Sequence, residues 1–120
     1  MSRIAAAAPA LSLALSLALS LVSAPAFAAD GQQLFNMQCK LCHTGGPMGP
    51  SLAGVAGAKI ASKDFAYSTA LKAKGGTWTD ANLDAFLKAP SAFAPGTKMM
   101  LNVPSDENRA AIVAFLKTLK

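Results

Sequence analysis

The sequence has few residues of the kinds that bind structural metals, and it has no long hydrophobic run beyond its first 28 residues. It contains 120 residues with two cysteines, one histidine, one tryptophan and one tyrosine. Two cysteines and one histidine are too few for a structural zinc site, which generally needs four protein ligands. The lack of further hydrophobic runs disfavours a polytopic membrane protein, and the short length disfavours a multidomain enzyme.

Residues 29–120 also contain few large apolar side chains. Of these 92 residues, 25 are Val, Ile, Leu, Met, Phe, Trp or Tyr, and ten Lys or Arg against six Asp or Glu leave a net charge of +4. A chain of this size buries only about 60–65% of its unfolded surface, so it is marginally stable without help. We therefore expect residues 29–120 to form one small soluble domain that needs a cofactor or a covalent cross-link to be stable.

The first 28 residues differ in composition from the rest. Arg3 precedes a run of Ala, Leu and Ser over residues 4–22, and Pro25 and an Ala-Phe-Ala triplet ending at residue 28 follow. This arrangement predicts a signal peptide over residues 1–28 that is cleaved on export, which places the mature domain in the periplasm of a Gram-negative host. An uncleaved membrane anchor is the alternative, because the run approaches the roughly 20 residues that span a bilayer.

Three residues with the properties of helix N-caps predict where the main helices begin. Asp30 precedes a helix that runs into the two cysteines, Thr79 precedes one that ends at Pro90, and Ser105 precedes the last one. Their side-chain oxygens can accept hydrogen bonds from the otherwise unpaired N–H groups of a first helical turn. Hydrophobic residues at helical spacing follow these caps, which indicates amphipathic helices.

The rest of the domain is predicted to consist of loops and one shorter helix. Residues 44–57 contain five Gly and two Pro and predict a loop, whereas residues 65–74 predict a modest helix that ends at Gly75 and Gly76. We expect residues 91–104 to be irregular. No segment alternates clearly enough to require a sheet, so the predicted fold class is all-α with long loops.

Both cysteines and the histidine lie in one motif, Cys39-Lys40-Leu41-Cys42-His43. The pattern C-x-x-C-H is typical of covalent haem attachment. Two thiols at this spacing can add to the two vinyl groups of one haem, and the adjacent histidine can ligate the iron from the same face. A thiol–disulfide redox pair, a plain disulfide and a zinc site are the alternatives. The redox pair usually occurs in a βαβ context, which is missing here.

With further motifs, the sequence resembles class I cytochrome c, specifically the bacterial relatives of mitochondrial cytochrome c. The resemblance covers nearly all of residues 30–119. It includes, in the same order, Gly31-x-x-x-Phe35, the haem motif, Gly49-Pro50-x-Leu52-x-Gly54, Tyr67, Trp78 and Pro95-Gly96-Thr97-Lys98-Met99. The resemblance implies the cytochrome c fold, in which three main helices, shorter ones and long loops surround one covalently bound haem c.

The family pattern implies His43 as the proximal iron ligand and Met99 as the opposite axial ligand. A His/Met pair raises the reduction potential, and filling both axial positions leaves no open site for oxygen or a substrate. Spacing alone does not separate Met99 from Met100, so the assignment depends on the resemblance. Met37 is interpreted as core filler, and Met48 as either packed in its loop or exposed.

The resemblance also assigns four residues around the haem. Pro50 is expected to accept, through its backbone carbonyl, a hydrogen bond from the ring N–H of His43. Tyr67 and Trp78 are expected to donate hydrogen bonds to a haem propionate, and Thr97 to supply a further hydroxyl donor. Ordinary core packing is the alternative for the two aromatic residues.

Further positions resemble structural parts of the family. Gly31 is expected to permit close contact between the first and last helices, and Leu52 and Phe93 are expected to line the haem pocket. Three positions depart from the family pattern by replacing a polar side chain with an apolar one: Ala58 for Arg, Leu71 for Asn and Phe86 for Tyr.

The implied function is that of a monohaem electron carrier, not an enzyme, which cycles between Fe(II) and Fe(III) and passes one electron between redox proteins. A haem peroxidase or gas-binding protein with a labile methionine ligand is the alternative. We expect protein partners, including membrane complexes, with acidic docking surfaces facing Lys40, Lys72, Lys88 and Lys98. No small-molecule substrate is expected. The dispersed cations, with few aromatics among them, do not indicate nucleic-acid binding.

Overall fold

A computed structural model describes residues 5, 7, 9, 10 and 30–120. The predicted signal peptide and its cleavage point lie outside the described residues, apart from those four isolated positions. The part of the chain that is described contains five helices: α1 (Gly31–Gln38), α2 (Thr69–Lys74), α3 (Asp80–Lys88), α4 (Pro90–Phe93) and α5 (Asp106–Leu116). None of these helices is long and apolar enough to cross a membrane.

The architecture is three longer helices and two short ones joined by loops. α1, α3 and α5 have eight, nine and eleven residues, whereas α2 and α4 have six and four. Residues 44–57 form turns and loop, as their Gly and Pro content predicts. Over residues 30–120 there is no β-strand, and a single antiparallel bridge joins Lys59 to Thr77. The predicted all-α fold with long loops is confirmed.

The three predicted N-caps begin the three longer helices. The Asp30 carboxylate accepts hydrogen bonds from two N–H groups of α1 at 3.0 and 3.2 Å. The Thr79 hydroxyl accepts one from α3 at 3.1 Å, and the Ser105 hydroxyl accepts one from α5 at 3.2 Å. Each such cap typically stabilises its helix by ~1 kcal/mol relative to alanine. The helix starts inferred from the sequence are therefore confirmed.

The helix predicted over residues 65–74 begins four residues later than expected. Ser68 is extended, with φ −60° and ψ 153°, and its hydroxyl accepts a hydrogen bond from the N–H of Leu71 at 3.2 Å. α2 therefore begins at Thr69, because a serine that satisfies a first-turn N–H through its side chain favours the cap position over the helix interior. Its end at Lys74, followed by Gly75 with φ 69°, agrees with the prediction.

A short helix lies where the sequence predicts irregular structure. Pro90 is the first residue of α4, and the N–H of Ala94 donates to the carbonyl of Pro90 at 2.9 Å. Proline is well suited to this position because its missing N–H would have no helical partner there. Pro90 thus follows α3 and also starts α4, and the expectation of an irregular segment over residues 91–104 is wrong for its first three residues.

α1 and α5 are in direct backbone contact at Gly31. A Cβ atom at this position would lie 2.1 Å from the carbonyl oxygen of Ala111 and 3.0 Å from the Cβ of Phe115. No residue other than glycine fits without moving one helix. Beside this contact the rings of Phe35 and Phe115 pack with their centroids 5.1 Å apart. The predicted contact between the first and last helices is confirmed, and it holds the helix that leads into the cysteines.

Candidate functional site

The centre of the domain is a cavity of about 360 Å³, within the size range of small-molecule and cofactor sites. Side chains from α1, α2, α3 and α5 and from the loops form its largely apolar wall. All eight residues predicted to surround a cofactor line this one cavity: Cys39, Cys42, His43, Pro50, Tyr67, Trp78, Thr97 and Met99. The small number of large apolar residues is thus explained, because they enclose a space instead of filling it.

The cysteine motif forms a tight turn at the end of α1. Cys39 is the C-cap of the helix, and its carbonyl accepts hydrogen bonds from the N–H groups of Cys42 at 3.2 Å and His43 at 3.0 Å. Neither cysteine is in a disulfide. Burial raises the pKa of the Cys39 thiol, whereas a disulfide-exchange nucleophile needs a lowered pKa. The turn therefore presents both thiols and the imidazole to the cavity and is poorly suited to thiol–disulfide chemistry.

The imidazole of His43 is held by the predicted partner. Its Nδ1 lies 2.8 Å from the carbonyl oxygen of Pro50. Because a carbonyl oxygen can only accept, Nδ1 carries the hydrogen and the lone pair of a neutral ring is on Nε2. The backbone of the loop thus selects the tautomer that leaves Nε2 able to bind a metal.

Gly49 is a site residue whose role the sequence motif alone does not indicate. A Cβ atom there would lie 3.0 Å from Nδ1 of His43 and 3.0 Å from the carbonyl oxygen of Cys42. The glycine therefore leaves the space in which the imidazole and the cysteine turn pack. The signal that the sequence offers is only its position directly before Pro50, the residue that orients the ring.

The four methionines of the described domain differ sharply in exposure. Met37, Met48 and Met100 are 70%, 69% and 80% exposed, whereas Met99 is partly buried and packs against the hydrophobic core. Met100 and Met48 also reach the cavity wall, but largely from the solvent side. The interpretation of Met37 as core filler is wrong, because it lies on the outer face of α1. Met99 is the methionine that the fold turns inward.

The polar groups of the cavity wall include hydrogen-bond donors. The Tyr67 hydroxyl accepts a hydrogen bond from the backbone N–H of Lys63 at 3.1 Å, which leaves its own hydrogen free to donate. Burial raises the pKa of Tyr67, and the hydrogen bond from Lys63 opposes this shift only partly, so the phenol is protonated at neutral pH. Trp78 and Thr97 are buried and line the same cavity.

The three departures from the family pattern all lie in the cavity wall. Ala58, Leu71 and Phe86 line the cavity, so the wall is apolar at each of these positions. The rings of Phe86 and Trp78 pack with centroids 5.2 Å apart. Leu52 lines the cavity as predicted, but Phe93 stacks on Trp78 at 5.7 Å instead. The expectation for Phe93 is wrong because Trp78 stands in front of it.

The donor set of this cavity fits a haem. An imidazole, a thioether and two thiols meet in a largely apolar space, and Gly49 makes room for the imidazole. Soft sulfur and imidazole donors suit iron in a porphyrin. Among the described residues, no group of three or more His, Cys, Asp or Glu could hold a metal ion by itself. The residues present thus match a cofactor that brings most of its own metal ligands.

Comparisons with known proteins agree with this chemistry. The family model "Cytochrome c" matches residues 28–120. Cytochrome c of Tetrahymena pyriformis is 41% identical over 77% of this chain and 88% of the relative. Cytochrome c2 of Rhodomicrobium vannielii is 43% identical over 80% of this chain and 85% of the relative.

A solved structure gives the same result for the fold. Cytochrome cH from Methylobacterium extorquens superposes with a TM-score of 0.68 at 38% identity, covering 76% of this chain and 97% of that one. The predicted fold family and the predicted haem c are confirmed. The chain belongs to the cytochrome c family and carries one covalently attached haem c.

Proposed function

We propose that this electron-transfer cytochrome is a periplasmic monohaem carrier, formed by residues 29–120 after cleavage of a signal peptide over residues 1–28. Its iron is held by His43 and Met99. The observation that carries the proposal is the placement of these two side chains in the wall of one cavity while the other three methionines of the domain are exposed. These two side chains would supply the two protein ligands that a six-coordinate haem iron needs.

Residues on the histidine side hold the cofactor and set the donor strength of the imidazole. Cys39 and Cys42 attach the haem through thioether bonds, and Nε2 of His43 ligates the iron. The haem, when bound, supplies one-electron exchange between ferrous and ferric iron. The Pro50 carbonyl accepts the Nδ1 hydrogen of His43 at 2.8 Å, which orients the ring and makes it a stronger donor.

Residues on the opposite side favour the reduced state and close the site. The thioether of Met99 is a soft, neutral donor that stabilises Fe(II) relative to Fe(III). The side chains of Leu71 and Phe86 make this part of the cavity wall apolar. With His43 and Met99 both bound to the iron, no ligand position would be left for oxygen or a gas, which would favour one-electron transfer over oxygen activation or gas binding.

Three donors are suited to the haem propionates. Tyr67, Trp78 and Thr97 line the cavity that the haem enters, and each carries one O–H or N–H that can donate. Hydrogen bonds to an ionised carboxylate favour its charged form. Ala58 supplies no cation, but Lys59 and Lys63 also line the cavity and can add positive charge near a carboxylate.

The partners are proposed to be redox proteins, including membrane complexes, with acidic surfaces. Lys40, Lys72 and Lys88 are exposed, the last two in the final turns of α2 and α3. Lys98 is exposed too, but its Nζ donates to the carbonyl of Ala66 at 2.6 Å. This positive charge steers acidic partners modestly, and salt weakens the attraction because charges are screened within about 10 Å at 0.1 M.

The covalent attachment of the haem and the ligation of its iron are tested on the purified protein. Haem staining after denaturing electrophoresis is expected to be positive, since thioether-linked haem survives denaturation, and the oxidised protein should be low-spin with a weak sulfur-to-iron band. A high-spin, five-coordinate iron, or rapid carbon monoxide binding by the untreated reduced protein, would instead favour the peroxidase or gas-binding alternative. N-terminal sequencing of the exported protein tests cleavage after residue 28.

A further inference from the structure

The backbone around Met99 is held only at its two ends. Within the described part of the chain, residues 98–102 make no backbone–backbone hydrogen bond. Immediately before them the N–H of Thr97 donates to the carbonyl of Ala94 at 3.0 Å, and immediately after them the N–H of Val103 donates to the carbonyl of Leu87 at 2.8 Å. The position of the Met99 sulfur therefore depends on how firmly these two ends are fixed.

The downstream end is fixed by a buried arginine of α5. Nη1 of Arg109 donates to the carbonyl oxygens of Val103 at 3.0 Å and Pro104 at 2.9 Å. Nε of the same side chain donates to the carboxylate of Asp84 in α3 at 2.8 Å, and Nη2 pairs with Asp106. One guanidinium thus joins α3, α5 and the chain that leaves the Met99 segment.

The chemistry of this contact requires arginine. The Arg109 side chain is only 3% exposed, and these contacts use four of its five N–H donors. Its rigid planar fork directs donors to two carbonyls and a carboxylate at once, which a lysine ammonium on a flexible stem does not reproduce. Loss of the guanidinium would leave the carboxylate of Asp84 and both carbonyls without this partner.

The path from the arginine to the methionine is short. Val103 is only four residues from Met99, a span of at most about 14 Å of extended chain, and it is buried with 2% exposure. Met100, Leu101 and Asn102, which lie between them, are exposed and add no anchor of their own. Because the residues between them have no backbone hydrogen bonds of their own, the fixed position of Val103 limits how far Met99 can move.

We propose that Arg109 is a positioning residue for Met99, which determines how readily the methionine sulfur leaves the iron. The proposal rests on the proposed role of Met99 as axial ligand. Arg109 then does more than stabilise the fold, because its guanidinium binds the loop backbone as well as α3. Local opening of a weakly held segment can occur at far lower free energy than global unfolding.

The test is imidazole titration of the oxidised holoprotein, followed through loss of the sulfur-to-iron band. Imidazole binds the fraction of molecules in which the methionine has left, so its apparent Kd falls as that fraction grows. For Arg109→Gln we expect the apparent Kd to fall by about tenfold. For Arg109→Lys, which keeps the charge but not the planar fork, we expect the apparent imidazole Kd to fall by about threefold.

Two control variants separate positioning from stability. Lys117→Gln breaks another α5–α3 ion pair, to Asp80 at 3.1 Å, which lies on the surface and does not touch the loop. Val113→Ala removes buried apolar atoms of α5 that do not line the cavity, and it lowers the stability of the domain. Both are expected to leave the apparent imidazole Kd within a factor of two of the wild type, on the order of measurement scatter.

The outcomes separate this proposal from the ligand assignment. If Val113→Ala changes the imidazole Kd as much as Arg109→Gln does, or if Arg109→Gln changes nothing, Arg109 has no positioning role. If the wild type itself lacks the sulfur-to-iron band, it is the assignment of Met99 that fails. Should Arg109→Gln not fold, Asp84→Asn removes the carboxylate that orients the guanidinium, and we expect the apparent Kd to fall by about threefold. A folded Asp84→Asn and a folded Arg109→Lys that both match the wild type would overturn the proposal.

Discussion

The two sides of the haem cavity are built in different ways. On the histidine side, Cys39, Cys42 and His43 lie within five residues, at the end of a helix, in a turn closed by its own hydrogen bonds. On the methionine side, Met99 lies in a stretch without backbone hydrogen bonds among the described residues, and contacts from distant parts of the chain hold it. One side is determined locally, and the other depends on tertiary structure.

This difference indicates which ligand exchanges. A covalently attached cofactor cannot move away from the cysteine turn, and the Pro50 carbonyl holds the imidazole in the space that Gly49 leaves. The methionine has no such local support. We therefore expect the iron to keep its histidine and to lose its methionine first under any stress, and the following predictions test this asymmetry from the largest effect to the smallest.

Replacing His43 with alanine should have the largest effect. Without its iron ligand the haem is not oriented against the two thiols, and without haem a domain of this size is marginal. We expect loss of covalent haem and of cooperative unfolding, measured by haem staining and circular dichroism. Lys40→Ala, in the same turn but exposed, is the control and should stay haem-bound. A haem-stained, cooperatively folded His43→Ala protein would contradict the local construction of this side.

Replacing Met99 with alanine should leave the haem attached but change its properties. Loss of the soft thioether lowers the reduction potential, by about 100 mV or more within the roughly 0.8 V range that axial ligands span, and opens the sixth position. Potentiometry and carbon monoxide binding measure the two effects. Met100→Ala should change neither, because Met100 is exposed. The reverse result would assign the ligand to Met100.

Replacing Gly31 with alanine tests whether the α1–α5 contact supports the histidine side. The new Cβ would lie 2.1 Å from the Ala111 carbonyl oxygen, so the helices must separate. We expect the free energy of unfolding to fall by about 3 kcal/mol, measured by denaturant titration of the holoprotein. Gly46→Ala, with the nearest atom at 3.9 Å, is the control. Equal stabilities of the two variants would show that the contact is not tight.

Replacing Gly49 with alanine should have the smallest effect of the four. A Cβ atom 3.0 Å from Nδ1 of His43 displaces the imidazole by a few tenths of an ångström and weakens its bond to the Pro50 carbonyl. We expect a loss of about 1 kcal/mol in the free energy of unfolding and a small change in potential, with the sulfur-to-iron band retained. Loss of that band would mean that strain on the histidine side reaches the methionine, contrary to the proposed asymmetry.

Local signals in the sequence predicted a large part of this protein. The N-caps Asp30, Thr79 and Ser105 begin the helices they were expected to begin, because capping depends on a side chain and the next three N–H groups. The start of α2 was predicted wrongly, because the hydroxyl of Ser68 caps the helix and thereby sets its first residue at Thr69. Pro90 is compatible both with ending α3 and with starting α4, and its neighbours in space decide that it does both.

The candidate site shows the same division between features with a local sequence signal and features that depend on tertiary contacts. The spacing of Cys39, Cys42 and His43 already favoured haem, since two thiols that bind its vinyl groups and one iron ligand within five residues need only a turn to face one cavity. No local pattern indicated that Arg109 binds the carbonyls of Val103 and Pro104, because the contact also needs α3 and α5 packed together. Arg109 alone in the sequence is indistinguishable from a surface cation of a helix.

The sequence by itself determined what depends on neighbours along the chain: the covalent attachment of haem, the tautomer-setting proline near the histidine, the caps and the all-α class. The tertiary structure decided which of two adjacent methionines is turned toward the cavity and what holds that segment in place. Met99 and Met100 have the same chemistry and differ by one position, so only the packing of the loop ends against α3 and α5 turns one inward and leaves the other in solvent.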